Sequence, residues 1–157
     1  MSTPLLMTRL YRPAPRVNMV ARPRLLEQLD EGLRHGRRLT LVSAPAGFGK
    51  TTLAADWVSR AAGDVAWLSA DEEDNDPKVL VAYLITALRR IDDTIGQAAE
   101  AVLSAPQQST VESAVTLLLN DLIAGTRPLI LVLDDLHLIQ APRTYDALSF
   151  LLEHQPP

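Results

Sequence analysis

The chain has 157 residues, 47% of them hydrophobic and 22% charged, a formal charge of −4 and no cysteine. That is enough for one domain with a real core, and it argues against disorder along the whole length. It also removes disulfides, thiolate metal sites and cysteine catalysis. The apolar run Leu129–Leu133 is strand-sized, and no apolar run approaches the ~20 residues that span a bilayer. Met1–Arg12 lacks a basic-then-apolar leader, so the expectation is a cytoplasmic protein with no membrane partner. The charge is uneven. Residues 1–38 carry eight arginines against Glu27, Asp30 and Glu31, a net of +5, which leaves −9 for the remainder. A basic arm can contact nucleic acid, but this one has no stacking aromatic beyond Tyr11 and no recognition helix, so a solvated arm or arginines facing a nucleotide remain open.

Residues 1–19 hold Pro4, Pro13 and Pro15, show no period and read as an extended lead-in. Arg24–His35 reads as an amphipathic helix with Leu25, Leu26, Leu29 and Leu33 on one face and Gly36 as its stop. Leu39–Ser43 is a short apolar strand. A helix follows from about Lys50 to Ala62, then a strand at Val65–Ser69. The acidic stretch Asp71–Asp76 reads as a surface loop, with Asp76 and Pro77 as cap and first residue of the next helix. That helix carries Leu80, Tyr83, Leu84, Ala87, Leu88 and Ile91. Ser109 and Glu112 have capping-box spacing before a helix with Val111, Val115, Leu118 and Leu122, ended by Gly125. The unbroken run Leu129–Leu133 suits a strand covered on both faces, and a last helix runs over Pro142–His154. Strands alternate with helices, so the fold class is α/β with a parallel sheet flanked by helices.

Two segments carry chemistry. Ala44-Pro-Ala-Gly-Phe-Gly-Lys-Thr51 follows an apolar run and opens a helix, matching the phosphate-loop pattern G-x-x-x-x-G-K-[ST] except that Ala44 replaces the first glycine. Gly47 and Gly49 let the backbone turn so that the N–H groups of Ala46, Gly47, Phe48, Gly49 and Lys50 face phosphate oxygens. The helix start adds positive partial charge. Lys50 reaches the β- and γ-phosphates, Thr51 sets its hydroxyl on Mg2+, and Thr52 touches the α-phosphate. Further on, Asp134 and Asp135 end the run Leu129–Leu133, where open α/β sheets place their ligand chemistry. Asp134 would hold Mg2+ through water, across from Thr51, and Asp135 would polarise the attacking water. His137 would lie on the γ-phosphate side and sense the nucleotide. Neither Asp-x-x-Gly after the strand nor Asn-Lys-x-Asp anywhere is present, so GTP is disfavoured and ATP preferred.

Four stretches together resemble the nucleotide-binding part of the signal-transduction ATPases with numerous domains (STAND). The likeness is to the large ATP-binding LuxR-type, maltose regulon activator-like transcription regulators. The stretches are Val20-Ala-Arg-Pro-Arg24, Ser43–Leu53 with its Walker A loop, Trp67-Leu-Ser-Ala-Asp-Glu-Glu-Asp-Asn-Asp-Pro77, and Leu131–Ile139 with its Walker B acids. The resemblance implies a P-loop NTPase over 20–157, a slow regulatory ATPase switching between ATP and ADP states. It implies self-association of the full-length protein, and Arg22 against the nucleotide. It further implies that 157 residues form an N-terminal fragment: the sensor strand between the two motif strands is missing, Leu129–Leu133 pairs in parallel with Val65–Ser69, and DNA is bound only through an absent C-terminal domain. Two other readings stand beside this one. A small-molecule P-loop kinase would need a lid with arginines, which Ile91–Ser109 lacks. A nucleotide-binding module without hydrolysis is the other, because Asp135 stands where a glutamate is common.

Overall fold

The computed structural model describes residues 4–14, 20–105, 110–125 and 127–156. The chain divides into two compact units, one of Arg12–Gly63 and one of Met1–Tyr11 with Asp64–Pro156.

In the Arg12–Gly63 unit, α1 spans Pro23–Arg34 and α2 spans Lys50–Arg60. Proline at the first turn of α1 forgoes no hydrogen bond, because the first N–H groups of a helix have no intrahelical acceptor. The helix ends at Gly36, whose φ of 68° lies in the left-handed region. Of the apolar face read from the sequence, Leu26 is buried, Leu29 is half-buried, and Leu25 and Leu33 are exposed. The indole N–H of Trp57 donates to Asp30 Oδ1 at 2.8 Å and ties α2 to α1. One expectation fails here. Leu39–Ser43 forms no strand, and Leu39 and Leu41 are 59% and 76% exposed. A strand exists through its ladder, and among the described residues no neighbour supplies one for this run.

The other unit is built on two strands, β1 (Asp64–Ser69) and β2 (Leu129–Asp134), with α3 (Pro77–Arg89), α4 (Gln97–Ser104), α5 (Val111–Ala124) and α6 (Pro142–His154). The strands pair in parallel, as expected, in the register Asp64 with Leu129 through Ser69 with Asp134. Cover on both faces of β2 is not what the chain builds. All six residues are half-buried, and it is Leu129, Leu131 and Leu133 that pack on the helical core, as the two-residue period of a strand dictates. At the centre lies α3, buried nearly all round through Leu80, Val81, Tyr83, Leu84, Ile85, Ala87 and Leu88, and touching β1, α4, α5 and α6. Asp76 caps it by accepting from the Lys78 N–H. After α3 the Thr94 hydroxyl and amide both donate to Asp92, and they hold that carboxyl below its ordinary range. No sequence signal had marked α4. It starts at Gly96, where φ is 76° and a Cβ would stand 2.7 Å from Ile85 Cγ2, so only glycine fits. The start of α5 is capped by Thr110, which accepts from Ser113 N–H; Ser109, expected in that role, lies outside the described residues.

Within the stretch read as an extended lead-in, Met7–Leu10 forms a 3-10 turn that docks on β1. Leu10 joins the core. Arg9 is buried: its Nε donates to Ser69 O at 2.9 Å, its Nη2 pairs with the fully buried Asp74, and its guanidinium stacks 3.9 Å from the Tyr83 ring centroid. Tyr83 Oη in turn accepts the Leu6 N–H at 2.9 Å. Arg9 is therefore no part of a solvated basic arm, and Asp74 no surface acid. Each neutralises the other in a place where a lone charge would be very costly. Among the described residues no helix is long and apolar enough to cross a membrane.

Candidate functional site

The loop before α2 turns through two glycines in the left-handed region, Gly47 at φ 82° and Gly49 at φ 76°, with Phe48 N–H reaching back to Pro45 O at 3.4 Å. Gly49 is the N-cap of α2. It has no side chain to accept from the first-turn N–H groups, which suits an external anion at the positive end of the helix. Lys50 extends from the first helical residue back across the loop, its Nζ donating to Ala44 O at 2.7 Å and Pro45 O at 3.1 Å. No sequence signal marked these carbonyl partners. Thr51 and Thr52 follow in the first turn, half-buried. Phe48 at the tip is 60% exposed.

Arg22, the N-cap of α1, meets this loop within the same unit. Its Nη1 donates to Phe48 O at 2.7 Å, and its Nη2 would stand 3.1 Å from a Cβ on Gly49. Two cations, Arg22 and Lys50, thus serve one short loop rich in backbone donors. That donor set fits a polyphosphate.

The acids belong to the other unit. Asp134 closes β2, and its carbonyl accepts the Ala70 N–H at 2.8 Å, extending the ladder past Ser69. Asp135 is the one described non-glycine residue with positive φ, at 54°. Its N–H donates to Asp134 Oδ1 at 3.0 Å, and a 3-10 turn over Leu136–Leu138 follows. Left-handed backbone is a strained state for a residue with a Cβ, although aspartate tolerates it better than most. His137 Nδ1 lies 4.0 Å from Asp135 Oδ1, and the two side chains are 70% and 48% exposed. Asp134, Asp135 and His137 are thus gathered at one strand end, and Arg22, Lys50, Thr51 and Thr52 around one loop. Among the described residues no group of three or more acids or histidines could hold a metal alone.

Residues 19–157 match the family profile of the AAA ATPase domain. The chain belongs to that family. It is 38% identical over 152 residues to the HTH-type transcriptional regulator MalT of Klebsiella pneumoniae subsp. pneumoniae, and 38% identical over 154 residues to that of Cronobacter sakazakii. To MalT of Serratia proteamaculans it is 39% identical over 152 residues. Each alignment covers 97% of this chain, and the chain spans 16% of the length of these relatives. An AAA ATPase domain binds nucleotide. The glycine turn and the helix start at Lys50 lie where the sequence motif put them. The sequence reading missed Arg9 and Asn75, because Asp74 and Gln140, their respective partners, lie 65 residues away and leave no periodic trace.

Proposed function

We propose that this AAA ATPase domain is the Mg-ATP-binding regulatory ATPase module of a multidomain LuxR-type transcription regulator, its ATP and ADP states acting as the switch. The observation that carries the reading is the loop before α2, with Gly49 as a left-handed cap, Lys50 folded across it and Arg22 bonded to Phe48 O. The likeness to MalT supports the regulatory part. The N–H groups of Ala46–Lys50 would take the phosphate oxygens, with Lys50 on the β- and γ-phosphates and Thr52 on the α-phosphate. Thr51 and, through water, Asp134 would hold Mg2+, which neutralises charge on the phosphates. Asp135 would orient and polarise the attacking water, and His137 and Arg22 would register the nucleotide. DNA contact and self-association would belong to the whole regulator.

The kinase alternative needs arginines over the phosphates. The described part of Ile91–Ser109 instead forms α4, which packs on α5 and carries no arginine. Release of inorganic phosphate from Mg-ATP without any acceptor tests the proposal. Slow release is expected. Release that appears only with an added acceptor would favour a kinase, and binding with no release would leave a module without hydrolysis.

A further inference from the structure

Asn75, in the stretch read as an acidic surface loop, is hydrogen-bonded at both ends of its side-chain amide. Its Nδ2 donates to Glu72 O at 2.9 Å and to Leu138 O at 3.1 Å. Its Oδ1 accepts from Gln140 N–H and from Ala141 N–H, both at 2.7 Å. Its backbone carbonyl accepts the Thr144 hydroxyl at 2.9 Å, and Thr144 is fully buried. Two carbonyls on one end of the amide and two N–H groups on the other leave a single orientation of the side chain and no acid or amine that could replace it. The partners Leu138, Gln140 and Ala141 all belong to the segment that leaves Asp134 and Asp135.

That segment is held at both ends by residues 70–75. At its start Ala70 N–H donates to Asp134 O, and at its finish Asn75 grips Leu138–Ala141. Between them the turn closes through Leu138 N–H to Asp135 O and Ile139 N–H to Leu136 O. The clamp itself is anchored. Asp74, next to Asn75, accepts the Asp71 N–H and pairs with buried Arg9, which also holds Ser69 O. A left-handed aspartate persists only where its surroundings over-determine it, and this double hold does so for Asp135.

We infer that Asn75 is a positioning residue for the acidic strand end: it fixes the exit of β2 so that Asp134 and Asp135 keep the geometry used with Mg-nucleotide. This rests on the proposed metal role of Asp134. Neighbours that orient a metal-ligating group affect the metal-dependent part of binding, not the phosphate-loop part.

Two measurements on this chain test it. Amide hydrogen exchange without nucleotide should show faster exchange at Gln140, Ala141 and the turn 135–139 in Asn75→Ala than in wild type. Titration with ATP should then show an affinity lowered about tenfold in Mg2+ and unchanged within about twofold in EDTA. Thr144→Val keeps the side-chain shape and removes only the hydroxyl on the Asn75 carbonyl. It should move both readouts the same way by less, and it carries the test where Asn75→Ala fails to fold. Equal losses in Mg2+ and EDTA, or no loss in either, would overturn the inference while leaving the phosphate loop standing. Wild-type affinity that ignores Mg2+ would remove its basis in Asp134. A wild type that binds no ATP in either buffer would overturn the proposed function itself.

Discussion

Among the described residues of the Arg12–Gly63 unit the buried apolar side chains are Leu26, Leu53, Ala55 and Val58, while in the other unit helix α3 is buried nearly all round in a core that runs from Leu10 to Leu151. The first unit carries the loop proposed to hold phosphates, its backbone turned through left-handed glycines and its cations bonded to loop carbonyls. The second carries the buried ion pair, the side-chain-capped helices α3 and α5 and, among the described residues, the one parallel ladder. On the proposed function, binding chemistry and packing are thus divided. A loop that must present N–H groups to a ligand cannot also spend them on its own fold, so it rests on a helix start. The acidic strand end lies in the packed unit and is held by a polar clamp instead.

The division predicts which substitutions unfold the chain and which only disarm it. The largest effect should come from Arg9→Ala, which leaves Asp74 charged and buried; removing one member of such a pair costs about 3–5 kcal/mol. Urea unfolding followed by circular dichroism measures it, and a loss below about 1 kcal/mol would show the docked N-terminal turn to be peripheral. Gly96→Ala comes next. A left-handed alanine costs about 1–2 kcal/mol, and the contact with Ile85 adds to that. Its unfolding midpoint in urea should fall while the Mg-ATP affinity of the folded chain stays the same. A matching loss of affinity would break the division between the units. Smaller still is Asp134→Asn, expected to weaken ATP binding severalfold in Mg2+ and hardly at all in EDTA. An equal loss in both buffers would make Asp134 a structural acid.

Much of this was legible from residue order alone. Helix α3 announced itself through Asp76-Pro77 and a period of apolar residues, and the start of α2 through Gly47, Gly49, Lys50 and Thr51. The failures have physical causes. Leu39–Ser43 has the composition of a strand, but a strand is a relation between two segments, and composition describes one. Arg9 looked like part of a basic arm because its acid lies at position 74, and Asp74 looked solvated for the same reason. Asn75 was hidden among acids because its work is to hydrogen-bond the backbone of a segment far along the chain, and backbone atoms leave no mark in a sequence. Helix α4 begins at a left-handed glycine instead of a side-chain cap, so no start signal preceded it.

The central claim is that the loop before α2 holds the phosphates. It is tested most directly by calorimetric titration of this chain with Mg-ATP, wild type beside Lys50→Ala. The expected result is one saturable site in the wild type. In the variant it should weaken by about 1.5–3 kcal/mol, roughly ten- to hundredfold in Kd, with the urea midpoint unchanged. Equal affinity in the two proteins would contradict the assignment of the phosphate loop.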